Sequence, residues 1–386
     1  MLLEKAKRSD KQEVRIMATE FLYLSEPEMI EAGVLDAASC TDVCEEVFRL
    51  LHDGDYIMGG PNHNSHGLVI VFPEHPQFPN MPAAGPERRF IAMPTYLGGR
   101  FAVCGEKWYG SNVENIKARN LPRSILTVTI NDPESCAPLA YMSGNLISSM
   151  RTGCIPGVAV RYLANQDAEV FTAIGVGPVQ KATLKAMVSQ LPNLKKVVAE
   201  AAHLESAQKF VEWAKEECNL EGIVVENMED ALASGDIVSI AASPKKPLYL
   251  EDKWIKKGAT VLLTSPITAD EDFWCKNKMV FDNSKMHEAY YEEGISLGSV
   301  KKACNGWGLM YSLMENGKLP SLSEAVSLGD VVVDHSLGRK NKEDKYMFVT
   351  SGQVVFDIGW GYQIYQNALK KGIGQKLKLW DEPYWK

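Results

Sequence analysis

The 386-residue sequence predicts an α/β protein in which a doubly wound parallel sheet is inserted into a discontinuous α+β domain. Three observations predict this fold class. Apolar strand-length segments alternate with helical segments after Ser148, which favours parallel pairing with right-handed crossovers. Extended segments without intervening helices come before Ser148, as is typical of an antiparallel or mixed sheet. Near the C-terminus the alternation stops, and a long amphipathic helix is predicted to fold back onto the first part.

Composition and charge exclude several classes of function. The chain is 45% hydrophobic and 23% charged, which is ordinary for a globular protein, and its formal net charge is -8. Nothing in this balance favours binding to nucleic acid or to an anionic membrane surface. No apolar run approaches the roughly 18 residues of a membrane span, and the segment 1–11 is charged rather than signal-like. We therefore expect a cytoplasmic protein.

The eight cysteines and seven histidines predict neither a metal site nor a disulfide. No CxxC pair and no H-E-x-x-H pattern occurs. Cys40 and Cys44 could place two ligands on one helical turn, but they continue the apolar stripe of Val43, Val47 and Leu51. Buried thiols are therefore favoured over metal ligands.

The first part of the chain begins with helical signals and continues with extended ones. Ser25–Glu28 forms a capping-box pattern, and a helix is predicted from about Cys40 to Gly54. The extended candidates that follow are 68–72, 90–97, 100–109, 125–130 and 138–142.

The second part alternates strands and helices. The predicted strands are 170–174, 194–199, 223–226, 237–241 and 260–264, and the predicted helices are 147–163, 178–190, 205–218 and 228–234. A second capping box at Ser321–Glu324, a short strand over 346–349 and a helix over 352–371 that ends at Gly372 complete the chain.

The strongest local motif is Gly175–Gln180, which lies between a predicted strand and a predicted helix. Gly175 would make the tight turn, and Gly177 would let the backbone approach a pyrophosphate at the helix N-terminus. Gln180 stands in place of the third glycine of that fingerprint. The strand–helix series around the motif favours a dinucleotide site over a structural turn, so we assign 148–324 to a Rossmann-type domain and 1–147 with 325–386 to a second domain.

Glu200 is the only acid at the end of the second predicted strand, where an acid is expected to hold the cofactor ribose. A solvated surface glutamate is an equally good interpretation. Because no arginine follows to take a 2′-phosphate, the residues leave the choice between NAD and NADP open.

Two basic and two acidic residues are candidates for substrate binding and acid–base catalysis. Lys107 and Arg151 would each be ordinary surface charges alone, but as a pair they could clamp a substrate carboxylate. Asp270 and Asp272 follow the last apolar strand, at the sheet edge where ligands bind. Either could act as a general acid or base, or could cap a helix that starts near Phe273.

The chain resembles the ornithine cyclodeaminase and mu-crystallin family over residues 54–379. The stretches that carry the resemblance are Met93–Leu97, Gly105–Trp108, Ser143–Gly153, Gly175–Gln180, Leu328–Val331, Gly338 with Arg339, and Ser351 and Gly352 with Asp357.

The resemblance implies an NAD(P)-dependent oxidoreductase or cyclodeaminase that transfers hydride at Cα of a small amino or imino acid. It also implies a homodimer built through the second, substrate-binding domain. The implied cofactor-binding residues are Gly175, Gly177, Val179, Gln180, Glu200, Ser124 and Ala241. Lys107 and Arg151 would hold the substrate carboxylate, and the implied catalytic residues are Lys107 with Asp270 or Asp272.

One segment departs from the family pattern. The family commonly has a further carboxylate-binding arginine where this chain has the stretch 59–66, which contains no arginine. We expect Asn62, His63 or His66 to take its place, which counts against ornithine itself as substrate. The chain length and this loop resemble a longer subgroup of the family that is sometimes named after tyramine oxidase. Two alternatives stay open: a non-catalytic, mu-crystallin-like binding protein, and a partner protein of an amine-oxidising system.

Overall fold

The computed structural model describes residues 19–242, 247–296, 298–300 and 307–385. Its strands are β1 Thr19–Leu24, β2 Tyr56–Met58, β3 Leu68–Val71, β4 Arg89–Leu97, β5 Val103–Ser111, β6 Ser124–Asn131, β7 Pro138–Ser143, β8 Val170–Ile174, β9 Lys196–Glu200, β10 Glu221–Val224, β11 Ile237–Ile240, β12 Leu248–Leu250, β13 Thr260–Leu263, β14 Ile267–Ala269, β15 Lys278–Phe281, β16 Tyr346–Val349 and β17 Gln375–Trp380. Its helices are α1 Glu26–Glu31, α2 Ala37–Asp53, α3 Glu114–Arg119, α4 Asn145–Leu163, α5 Pro178–Gln190, α6 Leu204–Cys218, α7 Met228–Ser234, α8 Glu271–Cys275, α9 Ser284–Ser296, α10 Gly308–Glu315, α11 Leu328–Val333 and α12 Val354–Lys371. Within these ranges, no helix has the length and apolar character that a membrane span requires.

The first sheet is mixed and belongs to the α+β part of the molecule. Its strand order is β17-β1-β7-β6-β5-β4-β2, with β3 paired to β4, and only the β1–β7 pairing among these is parallel. The segment predicted as extended over 100–109 begins at Val103, because Phe101 and Ala102 both donate to the Gly98 carbonyl in a turn. The prediction of a discontinuous domain is confirmed, since β17 completes this sheet from the far end of the chain.

Helix α12 covers this sheet, and α2 packs against α12 and α4. Asp36 caps the start of α2 by accepting from the Ser39 amide at 3.0 Å, and Gly54 ends the helix in a left-handed conformation with φ 78°. The helix therefore starts earlier than the periodicity alone predicted. Cys40 and Cys44 are fully buried on its apolar face, which confirms them as core thiols.

The second sheet is the doubly wound one. Its order is β10-β9-β8-β11-β13-β16-β15, and every pairing in the part that the structure describes is parallel. The predicted fold class is thus confirmed, but the predicted domain boundary at residue 324 is wrong. Strand β16 lies between β13 and β15, inside the parallel sheet. Its four residues are buried on both faces, so they show no alternation that could have assigned them to a sheet.

One hydrophobic core runs through both sheets. It includes Val47 of α2, Ile155 of α4, Phe171 of β8 and Phe356 of α12. A second cluster, which includes Val261 and Tyr311, covers the other face of the parallel sheet. The chain crosses between the sheets at α4 and again at residues 350–353, and both crossings lead into the site described next.

Candidate active site

The loop between β8 and α5 has the shape that a dinucleotide phosphate requires. Gly175 has φ 81°, and a Cβ there would lie 2.8 Å from the Ala241 carbonyl oxygen, so no larger residue fits. A Cβ at Gly177 would have no neighbour within 4 Å, so the backbone at the start of α5 is open to a ligand. Pro178 opens the helix, whose first free amides face an incoming anion. These residues fit the pyrophosphate of a nicotinamide dinucleotide.

Gln180 has a different position from the one its motif implied. Its side chain is buried, accepts from the Ser239 hydroxyl at 3.1 Å and donates to the Ser239 carbonyl at 3.4 Å. It therefore fastens the first turn of α5 to β11 instead of offering its amide to a cofactor. Val179 is half-buried on the same turn, beside the open backbone.

Glu200 and Ala241 lie at the same edge of the sheet as the glycine loop. The Glu200 carbonyl accepts from the Gly175 amide at 2.9 Å, and the Ala241 amide donates to the Ile174 carbonyl at 3.0 Å. Burial raises the pKa of the Glu200 carboxyl, which makes no side-chain hydrogen bond to any residue that the structure describes. The structure brings Gly175, Glu200 and Ala241 together, and their cofactor roles stay predictions.

The central feature of the site is a buried triad of charges from three elements. Lys107 of β5 donates from Nζ to Asp357 Oδ2 of α12 at 2.7 Å. Arg151 Nη2 of α4 lies 3.1 Å from the same oxygen. All three side chains are almost completely buried. The structure therefore joins the two predicted cations through an acid to which the sequence had assigned no role.

The triad leaves hydrogen-bonding atoms unused. Within the described residues, Arg151 Nε and Nη1 and Asp357 Oδ1 are buried without a partner. Two cations share one carboxylate, so the cluster has an excess positive charge. Buried polar atoms are rarely left unsatisfied, because each lost partner costs about 1–3 kcal/mol. A ligand that both accepts and donates hydrogen bonds here would satisfy them.

Because Gly352 has no side chain, the Arg151 guanidinium fits beside it. The residue has φ 70°, and a Cβ on it would lie 2.6 Å from Arg151 Nη1. The turn that contains Gly352 is held by Asp282, whose Oδ2 accepts from the Thr350 hydroxyl and the Ser351 amide, each at 2.9 Å. Asp282 was not predicted, although an acid directly after the buried strand β15 was a usable signal.

The ionisation of the triad suits proton exchange. Burial, helped by the positive charge of Arg151, lowers the pKa of Lys107 to about 8, although the Asp357 carboxylate pulls it upward. Burial alone would raise the pKa of Asp357, but the charges of Arg151 and Lys107 hold it below its ordinary value. Asp357 therefore stays ionised while Lys107 titrates near neutral pH.

Of the three loop residues proposed for the missing arginine, His66 lies at the triad. Burial, followed by the positive charges of Lys107, Arg151 and Arg89, lowers its pKa to about 4, so the imidazole is neutral. Its Nδ1 is buried and has no partner within the described part of the chain.

Asn62 and His63 shape the loop and do not reach the triad. Asn62 Nδ2 donates to the Lys285 carbonyl at 3.1 Å, and its Oδ1 accepts from the Asn64 amide at 3.0 Å. His63 has φ 57° at the tip of the turn. A buried asparagine that the sequence did not reveal, Asn64, accepts from Asn283 at 3.0 Å and ties this loop to the parallel-sheet half.

The structure gives the two predicted catalytic acids other roles. Asp270 caps α8 by accepting from the Phe273 amide at 3.2 Å, and it also accepts from the Asp252 amide at 3.0 Å. Asp272 is exposed and pairs with Lys276 one turn later. The helix-cap alternative is thus the observed one, and the prediction of a catalytic acid at these two positions has no geometric support. The remaining candidate, Ser124, lies at the start of β6 and makes a 3.0 Å hydrogen bond with the Tyr109 hydroxyl.

Comparison with known proteins agrees with this geometry. The sequence profile of the ornithine cyclodeaminase/mu-crystallin family matches residues 34–372. The chain is 28% identical over 367 residues to N-((2S)-2-amino-2-carboxyethyl)-L-glutamate dehydrogenase of Staphylococcus aureus, covering 94% of this chain and 100% of that one. It is 27% identical over 288 residues to alanine dehydrogenase of Archaeoglobus fulgidus, covering 75% of this chain and 83% of the relative.

Solved structures share the fold. The structure of Thermococcus litoralis Δ1-pyrroline-2-carboxylate reductase with NADH and L-proline has a TM-score of 0.75 and 23% identity, over 92% of this chain and 100% of that one. An archaeal alanine dehydrogenase dimer with bound NAD has a TM-score of 0.74 and 24% identity, over 94% and 100% of the two chains. Because the family profile spans most of the sequence, the chain belongs to the ornithine cyclodeaminase/mu-crystallin family.

Proposed function

We propose that the chain is an NAD(P)-dependent oxidoreductase or cyclodeaminase that acts by hydride transfer at Cα of a small amino or imino acid. The observation that carries the proposal is the set of unpartnered atoms in the triad. Within the described residues, Arg151 offers two buried donors, and Asp357 offers one buried acceptor beside them. An α-amino acid has a carboxylate and an amine one carbon apart, which is the combination that satisfies both.

Each member of the triad then has a distinct task. Arg151 binds the substrate carboxylate through a charge-assisted hydrogen bond from one of its unpartnered donors, Nε or Nη1. Asp357 Oδ1 accepts from the substrate amine and so orients Cα. The Gly175–Gln180 loop would hold the pyrophosphate of a nicotinamide dinucleotide, and this cofactor would supply the hydride acceptor or donor.

Lys107 handles the proton that accompanies the hydride. When an amine is oxidised to an imine, a hydride leaves Cα and the nitrogen loses one proton. Neutral Lys107 can accept that proton at Nζ, and its ammonium form can return it during reduction. A pKa of about 8 keeps both forms populated near neutral pH.

Glu200 supports NAD as the preferred cofactor. Its half-buried carboxylate lies beside the glycine loop, where it would accept from a ribose hydroxyl and repel a 2′-phosphate. The two solved structures compared above contain NADH or NAD.

The test of the proposal is an activity screen. The purified protein is mixed with NADH or NADPH and cyclic imines, and with NAD or NADP and amino acids, while absorbance at the nicotinamide band is followed. We expect turnover of at least one compound, with NADH preferred. Tight cofactor binding without turnover of any compound would instead support the mu-crystallin-like alternative.

Substitution of Gly177 by valine is expected to abolish NADH binding and leave the fold intact. The new side chain has no neighbour within 4 Å to clash with, but it would occupy the space that the pyrophosphate needs. Calorimetric titration with NADH measures the loss, and a thermal melt checks the fold. Gly372→Ala is the matched control, because it also meets open space but lies at the end of α12. Unchanged NADH affinity in Gly177→Val would contradict the placement of the cofactor.

An apolar patch on the outer face of the mixed sheet supports the proposal of a homodimer. Phe90 and Trp108 stack with ring centroids 5.6 Å apart, and both are exposed. Ile125 of β6 and the whole of β3 extend this patch, and their exposed fractions range from 46% to 79%. Contiguous apolar surface of this kind typically marks an interface. A second copy of the chain is the occupant we propose, since the archaeal alanine dehydrogenase with the same fold is a dimer.

The substitution Trp108→Glu is expected to convert the dimer into a monomer, because a buried charge would have no partner in the interface. Light scattering at micromolar concentration measures the mass. Tyr249→Glu, which introduces the same charge at an exposed aromatic of β12, should leave the dimer intact. A wild-type protein with the mass of one chain would exclude the dimer.

A further inference from the structure

A second polar cluster lies at one end of the inner face of the mixed sheet. Arg89 of β4, Ser111 of β5 and Ser124 of β6 are direct register neighbours and form one row across the three strands. Arg89 Nε and the Ser111 hydroxyl are buried without a hydrogen-bond partner in the described chain. Like the unpartnered atoms of the triad, they are available to a ligand that forms hydrogen bonds.

The potential around this row is positive. Tyr109 contacts Ser124 at 3.0 Å and Arg123 Nη2 at 3.4 Å. Burial would raise the pKa of Tyr109, but the Ser124 hydrogen bond and the charges of Arg123 and Arg89 hold it below its ordinary value. Arg89 pairs through Nη2 with Glu87 at 2.9 Å, and its side chain is 33% exposed although Nε is buried.

The row lies on the same face of the mixed sheet as Lys107 of the triad. Lys107 and Ser111 lie on the same face of β5, four residues apart, which separates their Cα atoms by ~13 Å. The imidazole of His66 is within electrostatic reach of Lys107, Arg151 and Arg89.

We propose that the Arg89–Ser111 row is a second anion-binding subsite, and that the substrate is an amino or imino acid with a further carboxylate at its distal end. The inference rests on the proposed function, because the first carboxylate is the one held by Arg151. Arg89 Nε and the Ser111 hydroxyl are donors that a second carboxylate would satisfy, and neutral His66 lies alongside the connecting chain. Arg89 is thus the residue that sets specificity for a doubly acidic substrate.

Binding of straight-chain dicarboxylates tests this subsite. The protein saturated with NADH is titrated calorimetrically with the series from malonate to suberate, and with the monomethyl ester of each acid. We expect one intermediate length to bind about 10- to 100-fold more tightly than its own ester, since a charge-assisted hydrogen bond is gained. Arg89→Met should remove this advantage while the affinities for the ester and for NADH stay unchanged. Arg89→Lys should keep part of it.

Arg100→Met is the matched control, because that guanidinium is bound to Glu46 near the opposite end of β4 and should not affect the preference. A length preference that survives in Arg89→Met would overturn the subsite, as would equal binding of diacids and esters by the wild type. Weaker NADH binding in Arg89→Met would assign Arg89 to a cofactor phosphate instead. If neither the diacids nor the esters bind although NADH does, Arg151 does not bind a carboxylate, and the proposal of a second subsite is overturned as well.

Discussion

Lys107→Met and Arg151→Met are each expected to lower kcat/KM for the substrate by about one to two orders of magnitude. Arg151→Met removes a charge-assisted hydrogen bond to the substrate carboxylate, which typically contributes about 1.5–3 kcal/mol, and Lys107→Met removes the group that exchanges the proton. NADH affinity should be unchanged, because the phosphate loop belongs to a different element. Lys185→Met is the control, since that lysine pairs with Glu217 at the surface. Wild-type kinetics in both variants would remove the main support for the catalytic proposal.

The pH dependence of ligand binding separates the two cations. Lys107 has a lowered pKa of about 8, so its positive charge is present below that pH and is lost above it. Affinity for a carboxylate that lacks an amine should therefore fall as pH rises through about 8 in the wild type. Lys107→Met should abolish that fall. Arg151→Met should move it to higher pH, because the guanidinium is one of the causes that lower the pKa of Lys107.

Asp357→Asn is expected to destabilise the fold by about 3–5 kcal/mol, the usual result of breaking a buried ion pair from one side. Two buried cations would lose their shared partner, and the pKa of Lys107 should fall further because the Asp357 charge raises it. Urea unfolding measures the loss. Asp167→Asn, which breaks an exposed pair with Lys342, should change stability by less than about 1 kcal/mol.

A double variant keeps this prediction testable if Asp357→Asn folds poorly. Lys107→Met combined with Asp357→Asn removes one of the unpaired charges, so it should recover part of the lost stability. A double variant with the sum of the two single losses would show that Lys107 and Asp357 do not interact as the structure indicates.

Local patterns predicted the parts of the site that depend on local structure. The turn at Gly175 and the open backbone at Gly177 follow from a strand, two glycines and a helix in sequence order, so their geometry was predictable. The same holds for the capping boxes at Ser25 and Ser321, both of which form. Lys107 and Arg151 were predicted as a pair of cations that could clamp a carboxylate, and the family resemblance supported that role, because neither residue is unusual within its own element.

The functional residues that the sequence did not reveal are those whose roles depend on partners far away in the sequence. Asp357 lies 250 positions from Lys107 in sequence, so periodicity could not join them. A lone acid among Val354, Phe356, Ile358 and Trp360 was nevertheless a signal, since a charge on an apolar helix needs a buried partner. Asp270 and Asp272 were favoured because they follow a strand at the ligand edge, but a helix cap satisfies that position equally well. Strand β16 was assigned to the other domain because the order of strands in a sheet cannot be deduced from any one segment of the sequence.

The hydrophobic core passes without interruption from the mixed sheet into the near face of the parallel sheet, so we expect the two halves to unfold as one cooperative unit. Neither half can lose its packing while the other keeps its own, so unfolding of either exposes apolar surface of both. A ligand that binds only the folded protein at a hundred times its Kd stabilises it by about 2.7 kcal/mol. Binding of a dinucleotide at Gly177 would therefore stabilise the distant Lys107–Asp357 pair as well, although no contact joins the two.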